Sequence, residues 1–362
     1  MDDLSSARKI INEIDEKMAE LFERRMEAVK TVAEYKKERG LPILDKTREE
    51  EIIEKNGKLI KDDVLREYYI NFLRNNMSLS RDFQNRLNDG IKVAFAGVKG
   101  AFAAVAAKKI FENSMPIAYD NFKEAYEAVV NGEADCVILP LENSYNGDVG
   151  QVMDLAFFGS LYINGVYDIA ITQNLLAKDG VKTEDIKEVI SHPQAIGQCA
   201  GFIKKKGLLA TEFSNTAAAA EFVSKSDRRD IAAIGSDEAA KIYGLSVVEN
   251  CINDSNSNTT RFAVFSRTAK TDNASDKQFI MMFTVKNESG SLSKALSVIG
   301  DNGFNLRALK SRPTKELIWD YYFYAEGEGN VNTASGEKMT KELKEVCNYV
   351  KIVGSFEKEI SL

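Results

Sequence analysis

The first forty residues carry one uninterrupted helical pattern of apolar positions. From residue 5 to about residue 37 there is neither Pro nor Gly, and apolar residues recur at helical spacing. This pattern predicts a long amphipathic helix whose apolar stripe comprises Leu4, Ile11, Ile14, Met18, Leu21, Val29 and Val32. At 1.5 Å per residue the helix would span roughly 50 Å, whereas a compact small domain is about 30 Å across. We therefore expect a second copy of the chain to cover the stripe, in a homodimer or a higher homo-oligomer.

Three cations fall on the same stripe. Arg8, Arg25 and Lys36 each follow an apolar stripe residue by four positions. An inward-facing cation without a partner costs several kcal/mol, so three of them on one face indicate a site for an anionic ligand. The alternative is that they lie at the edge of the stripe and extend their charged ends into solvent. The helix alone favours neither interpretation.

Two shorter helical patterns follow, over residues 46–55 and residues 62–88. Their polar residues of interest are Arg48, Glu49, Ser80 and Gln84. Ser80 and Gln84 are four apart and therefore lie on one helix face. With the cations of the first helix, these residues supply positive charge, a carboxylate, a hydroxyl and an amide. They include neither a nucleophile nor a set of metal ligands. They suit the binding of a small dianion and the stabilisation of charge that develops on an ether oxygen.

Residues 1–88 resemble the all-helical chorismate mutases. The matching positions, in residue type and nearly in spacing, are Arg8, Arg25, Lys36, Asp45, Arg48, Glu49, Ser80 and Gln84. The resemblance implies a pericyclic rearrangement of chorismate to prephenate, without cofactor or covalent step. It implies that Arg8, Arg25 and Arg48 hold the two carboxylates. Lys36 and Gln84 would donate to the breaking ether oxygen, where charge develops, and Glu49 would bind the ring hydroxyl. That family's dimer, in which Arg8 reaches the other subunit's site, agrees with the length argument.

After residue 90 strands alternate with helices, and polar residues stand repeatedly at strand ends. Residues 91–96 predict a buried strand, followed by a glycine loop and a helix over residues 101–111. This joint is a potential anion site, although an ordinary turn is the alternative. Similar polar segments are residues 142–144, 191–194, 214–216 and 258–262. Since α/β folds bind ligands outside the carboxyl ends of their strands, we expect a site there.

Residues 91–270 resemble prephenate dehydratase. The resemblance rests, in family order, on Glu142-Asn143-Ser144, Ser191-His192-Pro193-Gln194, Gln198-Cys199 and Thr260-Arg261-Phe262. It implies two α/β lobes with the site in their cleft, and a reaction that removes CO2 and hydroxide from prephenate to give phenylpyruvate. Thr260 would donate to the departing hydroxyl, while Asn143, Ser191 and Gln198 would position the substrate. Arg261 would pair with a substrate carboxylate or form a structural ion pair, and His192 has either a site role or a structural one. Ala103 stands where that family has a serine, so one potential substrate-facing hydroxyl is missing.

A polar linker over residues 268–276 precedes a third pattern in the order βαββαβ, which is typical of a ferredoxin-like sandwich. The predicted elements are residues 278–285, 291–301, 305–311, 318–325, 336–348 and 350–356. This region resembles the amino-acid-sensing ACT domain, which implies that phenylalanine binds at its turns. The matching residues are Gly290, Ser291, Leu292, Asn305, Leu306, Ser311, Arg312 and Pro313, and Lys310 replaces that family's glutamate. A purely structural role for these turns is the alternative.

The composition of the chain excludes several classes of partner and cofactor. The chain has 362 residues, 44% of them hydrophobic, and a formal net charge of -7, which argues against nucleic-acid and anionic-membrane partners. It has no apolar run of membrane length and no apolar signal core near its first residue. Four scattered cysteines and one histidine predict a reduced cytoplasmic protein without a metal site, and we expect no cofactor.

Together these patterns predict a multidomain chain. An all-α chorismate mutase domain (residues 1–88) would be followed by a two-lobed α/β prephenate dehydratase domain (residues 91–270) and an α+β ferredoxin-like ACT domain (residues 277–362). The predicted function is a bifunctional enzyme of phenylalanine biosynthesis that acts on chorismate and prephenate and is inhibited by phenylalanine. The alternative is a chorismate mutase whose C-terminal region binds a ligand and senses an amino acid without catalysis. Ala103 and Lys310 are the features that keep this alternative open.

Overall fold

The structure is a computed structural model that describes residues 3–255, 258–270, 274–314, 320–357 and 360–362. The chain forms two compact units, Met1–Ile91 and Lys92–Leu362. Within the described ranges, no helix combines the length and the apolar composition that crossing a membrane requires.

The first unit consists of helices, as predicted. They are α1 (Asp3–Glu38), α2 (Lys46–Gly57) and α3 (Asp63–Asp89). The two later helices begin at aspartate caps: Asp45 accepts a hydrogen bond from the Arg48 backbone N–H at 3.0 Å, and Asp62 accepts one from Leu65 at 2.9 Å. Such caps satisfy backbone donors that have no partner inside the helix.

The buried interior of this unit is small. Its buried side chains include the apolar Ala33, Leu73 and Met77 and, beside them, the polar Ser80 and Gln84. The apolar stripe of α1 remains largely exposed within one chain, with Leu4, Ile11, Ile14, Met18, Leu21 and Val32 between 45% and 58% exposed. A long helix with such a stripe is normally stabilised by packing of its apolar face, which a single chain does not supply.

The second unit contains the remaining helices and all the described strands. The strands are β1 (Ile91–Ala96), β2 (Ser114–Tyr119), β3 (Cys136–Asn143), β4 (Gly147–Asp148), β5 (Tyr162–Ala170), β6 (Asn174–Ala177), β7 (Glu188–Ser191), β8 (Leu209–Glu212), β9 (Ile231–Gly235), β10 (Ser246–Glu249), β11 (Thr259–Ser266), β12 (Gln278–Thr284), β13 (Asn305–Pro313), β14 (Tyr321–Glu328), β15 (Tyr349–Phe356) and β16 (Ile360–Ser361). The helices are α4 (Phe102–Ile110), α5 (Phe122–Val130), α6 (Gly150–Phe158), α7 (Pro193–Gln198), α8 (Ala200–Lys206), α9 (Thr216–Lys225), α10 (Asp237–Tyr243), α11 (Ser291–Asp301) and α12 (Ala334–Val346), and a 3-10 turn covers Thr183–Asp185.

Residues 92–266 form two lobes, each built on its own sheet. One lobe contains β1 to β5 and β11, and the other is a five-stranded sheet in the order β10-β6-β9-β7-β8. The chain crosses from the first lobe to the second after β5 and returns before β11. The two crossings bring the ends of β5 and β11 to the junction of the lobes.

The C-terminal region has the predicted order βαββαβ, from β12 to β15 with α11 and α12. Its third strand, β14, ends at residue 328, three residues later than predicted, and residues 318 and 319 of the predicted strand lie outside the described residues. This region is not a separate layer of the structure. Among the described residues its four strands, the short β16 and the six strands of the first lobe form one eleven-stranded sheet, in which β15 runs parallel to β5.

The contact between β15 and β5 depends on a glycine. Gly354 is paired with Ile163, and a Cβ at Gly354 would lie 2.1 Å from the Ile163 carbonyl oxygen. A single apolar core continues across this junction, since Tyr322 and Tyr324 of β14 belong to the same buried cluster as Met153 of α6. Because sheet and core are shared, we expect this region to respond to changes in the first lobe.

Candidate active sites

In the helical unit, Arg25 lies where α1 meets α3. Its guanidinium donates to the Ser80 hydroxyl and, at 3.5 Å, to the Asn76 carbonyl oxygen. Burial lowers the pKa of Arg25 because the charged guanidinium loses solvation. Both of these partners are uncharged, so the site suits a ligand that brings its own negative charge.

Two other predicted site residues make contacts that a ligand would have to replace. Lys36 donates to the Ile43 carbonyl oxygen at 2.5 Å, and Glu49 forms an ion pair with Arg81. Arg48 is exposed and lies 3.3 Å from Glu51. Arg25 and Arg48 both line a cleft of about 670 Å³ in this unit.

Ser80 and Gln84 lie on one face of α3, as predicted. The Gln84 amide nitrogen donates to the Ser80 carbonyl oxygen at 3.2 Å, whereas the Gln84 amide oxygen is buried without a hydrogen-bond partner among the described residues. Arg8 is exposed on α1, and Asp45 serves as the cap of α2. The sequence prediction did not include Arg81, although it directly follows Ser80 and lies one turn before Gln84.

In the second unit, a cavity of about 450 Å³ lies at the junction of the two lobes. We call it the interlobe cavity. Its lining includes the predicted site residues Asn143, Gln198 and Thr260, together with Ala103, His192 and Gln194. The alanine that replaces the family's serine therefore does face the cavity.

The side chains of Asn143 and Thr260 are joined by a hydrogen bond. The Asn143 amide nitrogen donates to the Thr260 hydroxyl oxygen at 2.9 Å, and also to the Asn258 side-chain oxygen at 3.0 Å. The Asn143 amide oxygen accepts from the backbone of Tyr145 and Asn146, each at 3.1 Å. These contacts fix the amide orientation, so that Thr260 accepts from Asn143 and keeps its own hydroxyl proton free to donate.

The wall of the interlobe cavity lacks carboxylate, ammonium and guanidinium groups among the described residues. Among the described residues that line it, none is Asp, Glu, Lys or Arg. Five helices instead begin at lining residues, namely Phe102 (α4), Phe122 (α5), Val149 (the cap of α6), His192 (the cap of α7) and Thr216 (α9). Helix N-termini present unpaired N–H groups and partial positive charge, so this wall suits a ligand with carboxylate groups.

Three of the predicted dehydratase-site residues are not among the described residues that line the interlobe cavity. Ser191 is fully buried and donates to the Ile234 carbonyl oxygen at 2.7 Å, while Ser144 accepts from the Thr259 backbone N–H at 3.0 Å. Arg261 forms ion pairs with Glu326 at 3.2 Å and with Glu142 and Asp168 at 3.6 Å. Arg261 is thus paired with carboxylates of the chain itself, and its pairing with a substrate carboxylate stays a prediction.

Gln173 is a lining residue that the sequence prediction missed. It is 2% exposed, donates to the Gln198 amide oxygen at 3.2 Å, and has an amide oxygen without a hydrogen-bond partner among the described residues. It lies three residues beyond the end of β5. The polar pair Gln173-Asn174 within an apolar segment was a signal of this position.

A third cleft, of about 310 Å³, lies in the C-terminal region. Of the predicted regulatory residues, Leu292 and Ser311 line it, together with Tyr321 and Phe323. We call it the C-terminal cleft. Gly290 has a φ of 83° and directly precedes α11. Ser291 begins that helix.

Three more of the predicted regulatory residues have other contacts. Asn305 donates to Glu328 at 3.0 Å, Leu306 packs against the apolar core, and Arg312 forms an ion pair with Asp154 of α6 at 3.1 Å. Pro313 is the last residue of β13 and is exposed. Arg312 is therefore directed at the first lobe and not at the C-terminal cleft.

Comparisons with known proteins match the helical part and the two-lobed part of the chain to different families. A family model described as chorismate mutase type II matches residues 7–85, and one described as prephenate dehydratase matches residues 93–270. The bifunctional chorismate mutase/prephenate dehydratase of Aquifex aeolicus is 33% identical over 368 residues and covers 99% of each chain. That of Escherichia coli K12 is 30% identical over 373 residues, or 98% of this chain and 96% of its own. The crystal structure of prephenate dehydratase from Arthrobacter aurescens in complex with L-Phe matches with a TM-score of 0.68 and 26% identity, over 74% of this chain and 90% of its own.

Proposed function

The chain belongs to the bifunctional chorismate mutase/prephenate dehydratase family, and from this premise we propose that its two reactions use separate sites, one in each unit. The helical unit would contain the mutase site and the interlobe cavity the dehydratase site. The observation that carries the second assignment is the fixed Asn143–Thr260 pair on the wall of the interlobe cavity.

For the mutase reaction, Arg25 and Arg48 would receive the substrate carboxylates in the cleft that they line. The pericyclic step moves no proton to or from the protein, so catalysis comes from charge placed where the transition state develops it. Lys36 and Gln84 would provide this charge at the ether oxygen. Their present hydrogen bonds to backbone carbonyl oxygens would be exchanged for bonds to the substrate.

For the dehydratase reaction, Thr260 would donate a hydrogen bond to the departing hydroxyl. Asn143 already occupies an acceptor position of the Thr260 oxygen, which directs the hydroxyl proton away from the amide. Because a threonine hydroxyl is too weak an acid to release its proton outright, the contribution is a hydrogen bond that strengthens in the transition state. The substrate carboxylates would face helix N-termini on the wall of the cavity.

The test is to supply purified protein with chorismate or with prephenate, and to follow chorismate, prephenate and phenylpyruvate together. Conversion of prephenate to phenylpyruvate supports catalysis in the second unit. Consumption of chorismate with prephenate as the final product would instead favour the alternative, a mutase whose C-terminal region only binds and senses.

We also propose that the chain is a homodimer or a higher homo-oligomer in which the stripe of α1 is covered by a second copy. The exposed stripe supports this, and Arg8 would then reach the site of the other subunit. Replacing Ile14, which is 49% exposed, with Glu should shift sedimentation toward the monomer and lower mutase activity at low protein concentration. Dehydratase activity should persist. The matched control is Glu16→Lys, a charge change outside the stripe, and a wild type that is monomeric and fully active as a mutase would refute the proposal.

The C-terminal region, residues 277–362, is proposed to be an ACT domain whose ligand is phenylalanine. The C-terminal cleft offers Leu292 and Phe323 for an aromatic ring and Ser311 for a polar group. The relative solved with L-Phe supports this choice of ligand. The site would lie between two copies of the domain, so binding would also strengthen subunit association.

Phenylalanine should lower dehydratase activity, with a coupling of about 1–3 kcal/mol that corresponds to a roughly 5- to 150-fold change in substrate affinity. Gly290→Val should abolish the effect, because Gly290 has a φ that β-branched residues rarely adopt. Leu292→Ala is the milder variant, and Leu309→Ala on the same strand as Ser311 is its control. The measurements are dehydratase rate against phenylalanine concentration and calorimetric titration. No binding to the wild type at millimolar phenylalanine, or equal inhibition of Leu292→Ala, would contradict the assignment.

A further inference from the structure

Strand β13 places neighbouring residues on opposite sides. Ser311 lines the C-terminal cleft, whereas Lys310 and Arg312 point from the other face toward the first lobe. This alternation is the ordinary geometry of a strand. Two cations of the C-terminal region thus reach a segment of the first lobe, residues 142–154, that runs from the end of β3 through β4 into α6.

Lys310 holds the hairpin formed by β3 and β4. Its ammonium lies 2.5 Å from an Asp148 carboxylate oxygen and 3.4 Å from one of Glu142. Glu142 and Asp148 are opposite each other across the hairpin, and the next pair along it is Asn143 with Gly147. Lys310 therefore joins the two strands immediately beside the amide that holds Thr260.

Arg312 fixes the next part of the same segment. Two of its nitrogens lie 3.1 Å from the two Asp154 carboxylate oxygens, and the Tyr322 hydroxyl donates to Asp154 at 2.6 Å. The guanidinium also packs against Gly150, where a Cβ would lie 2.2 Å from a guanidinium nitrogen. Such a two-point pairing sets orientation as well as distance. It fixes the start of α6, next to the cavity-lining residue Val149.

We propose that Lys310 and Arg312 are positioning residues for the dehydratase reaction. From the C-terminal region they hold residues 142–154 so that Asn143 presents the Thr260 hydroxyl to the substrate. Neither side chain lines the interlobe cavity. This inference rests on the proposed dehydratase site, and it extends that site to residues of a different region of the chain.

Lys310→Ala should lower the dehydratase kcat between about ten- and a hundredfold, because a small displacement of catalytic groups has effects of that size. The KM for prephenate should change little, since the altered contact lies outside the cavity. Mutase activity of the same preparation should be unchanged, as should the thermal midpoint to within a few degrees. Arg312→Lys, which keeps the charge and loses the two-point pairing, should have a smaller effect of the same kind.

A charge exchange separates positioning from general loss of structure. Asp148→Lys alone should be as defective as Lys310→Asp alone, and the double variant should recover much of the lost kcat because the ion pair forms in reverse. The matched control is Lys338→Asp. This change removes an ion pair within α12, in which the Lys338 ammonium lies 3.7 Å from a Glu342 carboxylate oxygen. It should leave kcat unchanged.

Wild-type kcat in Lys310→Ala and in Arg312→Lys would overturn the proposal. The proposal would also be overturned if these variants changed kcat and KM by the same factor, lost activity in step with a lowered thermal midpoint, and regained none of it on charge exchange. Asn143→Ala distinguishes this failure from failure of the proposed site. If Asn143→Ala is inactive while the Lys310 and Arg312 variants are normal, only the positioning role is wrong. If Asn143→Ala is fully active, the site itself is wrong.

Discussion

Thr260→Ala is expected to abolish the formation of phenylpyruvate while chorismate is still consumed, so that prephenate accumulates. The variant removes the one hydroxyl whose proton the Asn143 contact leaves free to donate. Loss of one preorganised donor to a developing charge costs about a hundred- to a thousandfold in kcat. The effect should be confined to one reaction, because the helical unit contains none of the residues of the interlobe cavity.

Two further variants make this result interpretable. Thr260→Ser retains the hydroxyl and should keep much of the activity, which separates loss of the donor from disruption of the strand. Thr259→Ala changes the preceding residue of β11, which does not line the cavity. Chorismate and phenylpyruvate would be followed in the same reaction, together with thermal unfolding. A parallel fall in chorismate consumption without unfolding would show that the site assignment is wrong.

Local patterns in the sequence predicted the elements well. Apolar periodicity placed α1 to α3 within a few residues of their observed bounds. Such signals act over one or two turns of chain, so they are visible without knowledge of distant contacts. Polar residues at strand ends likewise predicted that Asn143 and Thr260 would share a site, and the structure pairs them.

Long-range pairing was not visible in these patterns. The parallel contact of β15 with β5 joins residues almost two hundred positions apart, and an alternating strand pattern does not name its partner. Only Gly354, which permits the close approach, marks the contact in the sequence. The two predicted boundaries between the three domains stay predictions, and the sheet crosses the second of them.

The assignment of Ser311 and Arg312 to one ligand site shows a different limit of prediction from sequence motifs. A motif taken as a unit implies that its residues act together, whereas adjacent residues of a strand point to opposite faces. Period-two alternation, applied to residues 310–312, would have separated Ser311 from its two neighbours. It would not have identified Asp148 and Asp154 as their partners, because these carboxylates come from another region of the chain.

Gln84→Ala and Lys36→Ala are each expected to lower the mutase kcat by about a hundredfold or more while prephenate dehydration stays near normal. Both residues would stabilise charge on the ether oxygen, and losing such a donor has an effect of this size. The buried Gln84 amide oxygen without a partner among the described residues supports a role beyond packing. An amide retained only for structure would more commonly have both polar atoms satisfied.

The matched control for Lys36→Ala is Lys37→Ala, because Lys37 is the next residue of α1 and is exposed. Dehydratase activity of each preparation serves as an internal measure of folded protein, since that reaction is assigned to the other unit. If a lowered thermal midpoint of unfolding accounts for the whole loss of mutase activity in Gln84→Ala, the role of Gln84 is in stability. Wild-type mutase rates in both Gln84→Ala and Lys36→Ala would remove the proposed ether-oxygen contacts, and Arg25 and Arg48 would then remain as ligands for the carboxylates alone.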